Sequence, residues 1–192
     1  MVRYEKIDAL TLTELPFSLD WLSPETYLVG GAVRDALLGR KKEYIDLDFV
    51  IPKLAIETAR KIANHYHAGF VVLDPQRQIA RVIFPQGTVD FAQQEGNSLE
   101  KDLQRRDFTI NAIAYNFHSQ TLIDPLDGLG DLKRSIIKMV SPTNLEDDPL
   151  RLLRAYRQAA QLNFKIDCET RSTICHLAPL VRQVAAERVQ SE

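Results

Sequence analysis

Residues 45 to 49 alternate strictly: Ile45, Leu47 and Phe49 are apolar and Asp46 and Asp48 are acidic, and the run "YIDLDFVIP" closes at Pro52. Side chains two apart on a strand share a face, so this pattern predicts a half-buried strand with two aspartates side by side on its polar face. Just before it, "TYLVGG" reads as a short buried strand, and "AVRDALLG" as a helix of about two turns closed by Gly39. Leu54, Ala55, Thr58, Ala59 and Ile62 recur at helical spacing through "KLAIETARKIANHYH". "GFVVLD", "IARVIF" and "GTVDFA" follow as three strands bounded by Pro, Gly or Asp. A polar connection leads to "RRDFTINAIAYNF", and "LIDPLDGLGDLKRSIIKMV" reads as short strands mixed with Gly-rich turns. After "SPTNLEDDP" the pattern turns helical: "LRLLRAYRQAAQL", "CETRSTICHLA" and "LVRQVAAERV".

The predicted organisation is a mixed leader (1–26), an α+β head with a small mixed sheet and flanking helices (27–140), and an all-α segment (141–192). A helical piece that short would hardly bury a core of its own. The expectation is a fragment of a longer chain, or a chain that packs on something else.

Composition adds little. The 192 residues carry a formal net charge of -2, which gives no overall basic field but leaves room for a local basic stripe. The two cysteines, Cys168 and Cys175, form no CxxC and read as free thiols of a reducing, cytoplasmic compartment. No signal peptide and no stretch of transmembrane length is visible, so no membrane partner is expected. His65 and His67 read as structural or exposed, His118 and His176 as lacking partners, and Trp21 as packing on the head.

Two paired aspartates are on their own compatible with the solvated face of an edge strand. Their neighbours point elsewhere. Gly30 and Gly31 sit where a strand opens into a helix, a place where backbone amides attract anions. Arg34 follows in the helix, where a shared phosphate would account for it. Asp90 repeats the pattern of a carboxylate against an apolar face. Three carboxylates beside a phosphate-binding turn suggest Mg²⁺ and a triphosphate, with two metal ions activating a hydroxyl and stabilising a leaving pyrophosphate. In "DDPLRLLRAYR", Asp148 precedes Pro149. One reading makes Asp148 a helix N-cap and Arg151, Arg154 and Arg157 a solvated basic face. The other pairs Asp148 with Arg151, three residues on, as an acceptor beside a donor fork that matches the Watson–Crick edge of cytosine or adenine and rejects guanine and uracil.

"YLVGGAVRDALLG", "DLDFVI", "RRDFTINAIAYN", "DPLDGLGDL" and "EDDPLRLLRAYRQAAQLNFKI" resemble, in order, the motifs of the bacterial tRNA nucleotidyltransferase and poly(A) polymerase family. The resemblance covers roughly residues 27 to 192. It implies a DNA polymerase β-like nucleotidyltransferase head followed by a helical neck, with further helical regions in full-length relatives that grip tRNA. It implies that Asp46, Asp48 and Asp90 hold Mg²⁺ and are catalytic, and that Gly31 and Arg34 contact the nucleotide phosphates beside Gly30. Arg106 and Asp107, with Asn111 nearby, would position the nucleotide sugar and phosphates; the reading from residues alone is a surface ion pair and a helix cap. Asp148 and Arg151 would serve as an amino-acid template, with Arg154 and Arg157 on the base or phosphates. Asp147 stands where the family usually has Glu. The implied activity is addition of C, or C and A, to the tRNA 3′ end from CTP and ATP. The alternatives are a poly(A) polymerase of the same family and a catalytically silent nucleotide-binding module. Relatives that add the terminal A carry a longer mobile loop after the third carboxylate. Here only "FAQQEGNSLEKDLQ" separates Asp90 from Arg105, as in relatives that add two cytidines.

Overall fold

The computed structural model describes residues 3–6, 15–40, 44–96 and 98–192. In chain order they form β1 (Arg3–Lys6), β2 (Tyr27–Val29), α1 (Gly31–Leu37), β3 (Ile45–Ile51) and α2 (Ala55–Tyr66). Next come β4 (Gly69–Asp74), β5 (Ile79–Phe84), β6 (Gly87–Gln93), α3 (Leu99–Gln104), β7 (Ala114–Asn116), β8 (Thr121–Asp124) and α4 (Gly128–Arg134). The chain ends with β9 (Ile136–Ile137), α5 (Pro142–Asp147), α6 (Leu150–Leu162), β10 (Lys165–Ile166), α7 (Cys168–Leu177) and α8 (Ala186–Ser191).

Eight strands make one mixed sheet in the order β1-β8-β7-β2-β3-β6-β5-β4. Its neighbours are antiparallel except the central pair β3 and β6. The chain leaves β3 through α2, reaches the sheet edge at β4, and returns by two antiparallel turns to lay β6 beside β3. That return brings Asp90 into register with Asp48.

The alternation read from the sequence determines which side is which. Ile45, Leu47, Phe49 and Ile51 join the main core under α2, together with Ala59, Ile62, Val89 and Phe91. Phe49 and Phe91, opposite each other in register, stack with ring centroids 5.6 Å apart, and Phe17 meets Phe49 edge-on at 6.1 Å. Each such aromatic pair contributes about 0.5–1.5 kcal/mol beyond its area burial. On the opposite side, Val29, Val50, Leu99, Leu103 and Ala114 form a smaller cluster under α3.

The helices after residue 141 have no separate core. Leu145, Leu152, Ala155 and Ile174 belong to the same apolar cluster as the sheet. β9 pairs in parallel with β10, and the Met139 amide donates to Thr170 Oγ1 at 2.9 Å.

Several local readings need correction. Residues 128–134 are helical, not a Gly-rich turn: a Cβ on Gly128 would lie 2.3 Å from the Thr109 carbonyl oxygen, so glycine serves close packing there. The polar connection after β6 contains α3, capped by Ser98, whose side chain accepts from the Lys101 amide; its residue 97 lies outside the described residues, as do residues 1–2 and 7–14 of the leader. The expected helix "LVRQVAAERV" is a 3₁₀ turn (Ala178–Gln183) and α8, separated by the extended residues Val184 and Ala185. His118 is not without a partner, since its Nε2 lies 3.0 Å from the Leu22 carbonyl oxygen. Trp21 packs on α2 through His65, with centroids 4.8 Å apart. Both cysteines are exposed free thiols. Among the described residues, no helix is long and apolar enough to cross a membrane.

Candidate active site

The side of the sheet away from α2 carries a lateral row across three strands. Arg81 on β5 is in register with Asp90 on β6, and Asp90 with Asp48 on β3. Directly opposed residues on neighbouring strands bring their Cβ atoms within about 5 Å. Asp46, two residues earlier on β3, shares this side and is exposed. Arg81 grips Asp90 as a fork, Nε donating to Oδ1 at 2.7 Å and Nη2 to Oδ2 at 2.8 Å. Among the described residues, Asp48 has no such partner fork. Burial pushes its carboxyl up to about 6, Asp90 and Asp46 push in the same direction, and Arg106 and Arg81 oppose them.

Gly30 closes over this row. Its φ of 76° and ψ of -141° suit glycine, and a Cβ there would sit 3.4 Å from both Asp48 Oδ2 and an Arg106 guanidinium nitrogen. Arg106 Nη2 reaches Asp102 at 3.4 Å. Its Nε is buried with no hydrogen-bond partner among the described residues.

Beyond the row, Ile79, Ala92 and Val50 form the next rung of the same side and floor a cleft of about 560 Å³. Of the residues singled out from sequence, Arg106, Asp148 and Arg151 line it. Arg77, Glu95, Arg105 and Arg188 line it as well and were not anticipated. Asp148 is not the N-cap of α6, a place taken by Pro149. Its carboxylate instead accepts from Arg188 Nη2 at 3.1 and 3.2 Å and lies 4.0 Å from Arg151 Nε. Arg151 is anchored by its other end, Nη1 donating to the carbonyls of Arg105 and Asn144 at 2.9 and 3.0 Å. Burial lowers the affinity of this guanidinium for its proton, and Asp107 and Asp148 counter that.

The remaining predicted residues lie behind the cleft in one hydrogen-bonded chain. Arg34 follows Gly31 in the first half of α1 and donates to Asp35 at 2.9 Å and to Asn111 Oδ1 at 2.8 Å. Asn111 Nδ2 donates to Asp107 Oδ1 at 2.9 Å, and Arg154 Nε donates to Asp107 Oδ2 at 3.0 Å. Gln158, buried on α6, accepts from both Arg34 and Asn111 at 3.3 and 3.1 Å. Asp107 is therefore neither a surface ion pair nor a helix cap. Burial alone would raise its carboxyl, but Arg154, Asn111 and the Phe108 amide outweigh it and hold the group below the usual carboxylate range. Arg157, expected on a solvated face, donates to Glu192 at 2.6 Å and to Gln161 at 3.0 Å.

The connection after β6 is pinned. Gln94 donates its amide to the Ile51 carbonyl at 2.8 Å, the Glu95 amide donates to Asp102 Oδ1 at 3.0 Å, and the Glu95 carboxylate pairs with Arg105.

Carboxylate oxygens suit a hard divalent cation. Asp48 fits one, since a cation would offset the burial and the neighbouring acids that raise its carboxyl. Asp90 suits one as well, with Arg81 already holding one lone pair on each of its oxygens. Among the described residues, no three acidic, histidine or cysteine side chains are already grouped to hold a metal.

Residues 26–138 match the family model described as the Poly A polymerase head domain, and residues 163–192 the one described as a probable RNA and SrmB-binding site of polymerase A. The chain is 66% identical over 179 residues to the CC-adding tRNA nucleotidyltransferase of Synechocystis sp., covering 93% of this chain and 43% of that relative. It is 41% identical over 168 residues to the CC-adding tRNA nucleotidyltransferase of Geobacter sulfurreducens, covering 86% of this chain and 39% of the relative. A solved tRNA-processing enzyme with CTP superposes with a TM-score of 0.74 at 37% identity, over 85% of this chain and 46% of that one. The chain thus spans less than half the length of these relatives.

Proposed function

The chain belongs to the bacterial tRNA nucleotidyltransferase and poly(A) polymerase family, and from that premise we propose that it is the nucleotidyltransferase head (27–140) and the start of the helical neck (141–192) of an enzyme that adds two cytidines from CTP to the 3′ end of tRNA. The observation that carries the reading is the cleft itself. Its floor continues the Asp48–Asp90 row, and its wall presents Asp148 beside Arg151.

In this reading Asp46, Asp48 and Asp90 hold Mg²⁺, which when bound lowers the cost of charge on the attacking 3′-hydroxyl and the leaving pyrophosphate. Arg106, with an unpartnered Nε beside Asp48, takes a phosphate of the nucleotide. Gly30 and Gly31 let that phosphate approach the backbone, and Arg34 reaches it if it exchanges one of its present acceptors. Asp148 accepts the cytosine N4 amino group, and Arg151 donates to N3. A uracil or guanine carbonyl facing Asp148 would leave the carboxylate unpaired. Asp107 and Asn111 orient Arg154 and the ribose side of the pocket, and Arg157 holds the outer end of α6.

The two-cytidine limit is supported by the pinned connection. Adenine offers the same donor and acceptor as cytosine, so the Asp148–Arg151 edge alone does not reject ATP. Selection against A requires that the pocket not widen, and Glu95 ties the connection to Arg105 and α3. The names of the Synechocystis and Geobacter relatives agree with this limit. The test is product length: the full-length protein is given tRNA lacking its 3′ end, with CTP and ATP together. The expected product carries two added cytidines. An efficiently completed CCA end refutes the limit but not the transferase, and long adenylate tails favour the poly(A) polymerase. Binding of CTP with no pyrophosphate release would favour a silent nucleotide-binding module.

A further inference from the structure

Asp48 and Asp90 stand opposite each other on the parallel pair β3 and β6, yet their surroundings differ. Asp48 faces Arg106 but, among the described residues, has no bidentate partner. Asp90 has both oxygens bound by one guanidinium, from a strand on its far side. Arg81 could have extended into solvent, because its side chain is 38% exposed. Instead it folds along the sheet into a bidentate grip, the geometry in which arginine binds carboxylates most strongly. The contact takes one lone pair on each oxygen that a metal would use.

We propose that Arg81 is an internal placeholder cation for the metal site. It grips Asp90, offsets the charge of the acidic row, and competes with a divalent ion for the Asp90 oxygens. The inference rests on the reading of Asp48 and Asp90 as metal ligands. It assigns Arg81 a positioning role that neither the sequence motifs nor the match to relatives gave it. Without Arg81, three carboxylates would share one side of two strands with only Arg106 nearby, and the empty site would be strained by repulsion. With Arg81, the site is stable when empty and binds a free divalent ion weakly. A metal that arrives already chelated by a triphosphate brings further ligands and competes better for Asp90.

The test measures metal binding without turnover. Chelator-stripped chain is titrated with Mn²⁺ as the probe, and free Mn²⁺ is read by electron paramagnetic resonance. Wild type is compared with Arg81→Gln, Arg81→Lys, Asp48→Asn and the double variant Arg81→Gln/Asp90→Asn. Arg81→Gln is expected to bind Mn²⁺ at least about tenfold tighter than wild type, the factor that loss of one close competing charge produces. The gain should vanish in the double variant. The melting temperature of Arg81→Gln should fall in chelator and rise with Mn²⁺ by more than that of wild type. Arg81→Lys keeps the charge but loses the fork, so it should fall between the two; it also carries the comparison if Arg81→Gln does not fold. Unchanged or weaker binding by these Arg81 variants, with wild-type binding still abolished by Asp48→Asn, would overturn the placeholder and leave the metal site standing. Wild-type Mn²⁺ binding, with CTP present, that is absent or indifferent to Asp48→Asn would overturn the metal site and the placeholder together.

Discussion

Arg154 on α6 and Asp107 in the turn after α3 are joined across 47 positions of sequence by a 3.0 Å hydrogen-bonded ion pair whose acid is almost fully buried. The pair links α6, which carries Arg151, to the Arg34–Asn111 chain. Asp107→Ala would leave Arg154, Asn111 and the Phe108 amide without their common acceptor. The expected loss is about 2–4 kcal/mol, at the lower end because Arg154 keeps some contact with water. Urea denaturation checks it. The Asp107 carboxyl lies below its ordinary value, so its contribution is complete above about pH 4 and declines as pH falls through the folded-state value. The stability gap between wild type and Asp107→Ala should therefore narrow only in strong acid.

Asp48 has the opposite sign. Its carboxyl is raised to about 6, with burial the largest cause and Asp90 and Asp46 adding to it against Arg106 and Arg81. A raised group stabilises the fold while protonated, and that contribution is lost as pH rises through about 6. In chelator, Asp48→Asn should match wild type near pH 4 and exceed it in melting temperature at pH 7 and above. Metal binding by wild type should weaken as pH drops through the same range. A variant less stable than wild type at pH 8 would show that Asp48 is paired rather than strained.

Gly87 begins β6 where it passes closest to β3. A Cβ there would lie 2.1 Å from the Ile45 carbonyl oxygen, a backbone atom that cannot swing aside. Gly87→Ala must push the strands apart or shift their register. The expected cost is about 3 kcal/mol or more, with loss of the Asp48–Asp90 alignment. A thermal melt reads the first effect, and Mn²⁺ binding the second.

Asp148→Asn turns the proposed acceptor into a group that can also donate. In the full-length enzyme, incorporation of CTP should drop and that of UTP rise, reducing the preference for CTP by about 100-fold or more. Single-nucleotide incorporation assays with each triphosphate measure the ratio. An unaltered CTP preference would remove Asp148 from base recognition.

What could be read from the sequence was what depends on local pattern. The alternation of Ile45, Leu47 and Phe49 with Asp46 and Asp48 gave β3 and its two faces, one of which carries the two acids of the candidate site. α2 and α6 followed from apolar spacing. α4 was hidden because Gly128 and Gly130 suggest turns, while in the structure Gly128 is required by close approach to Thr109. Arg81, Glu95, Gln158 and Arg188 were missed for a different reason. Each acquires its partner through the order in which strands and helices pack, and nothing beside Arg81 in the sequence announces Asp90 across a turn.

The parallel β9–β10 pair and the Met139–Thr170 bond stitch the chain on both sides of α5 and α6 to one apolar cluster. A helix fastened before and behind does not swing about a single joint. The segment that carries Asp148 and Arg151 is consequently fastened at both ends to the core that lies beneath the Asp48–Asp90 row. In the proposed two-cytidine reading, such a fastening acts as a jaw of fixed breadth, which a pyrimidine fits and a purine does not.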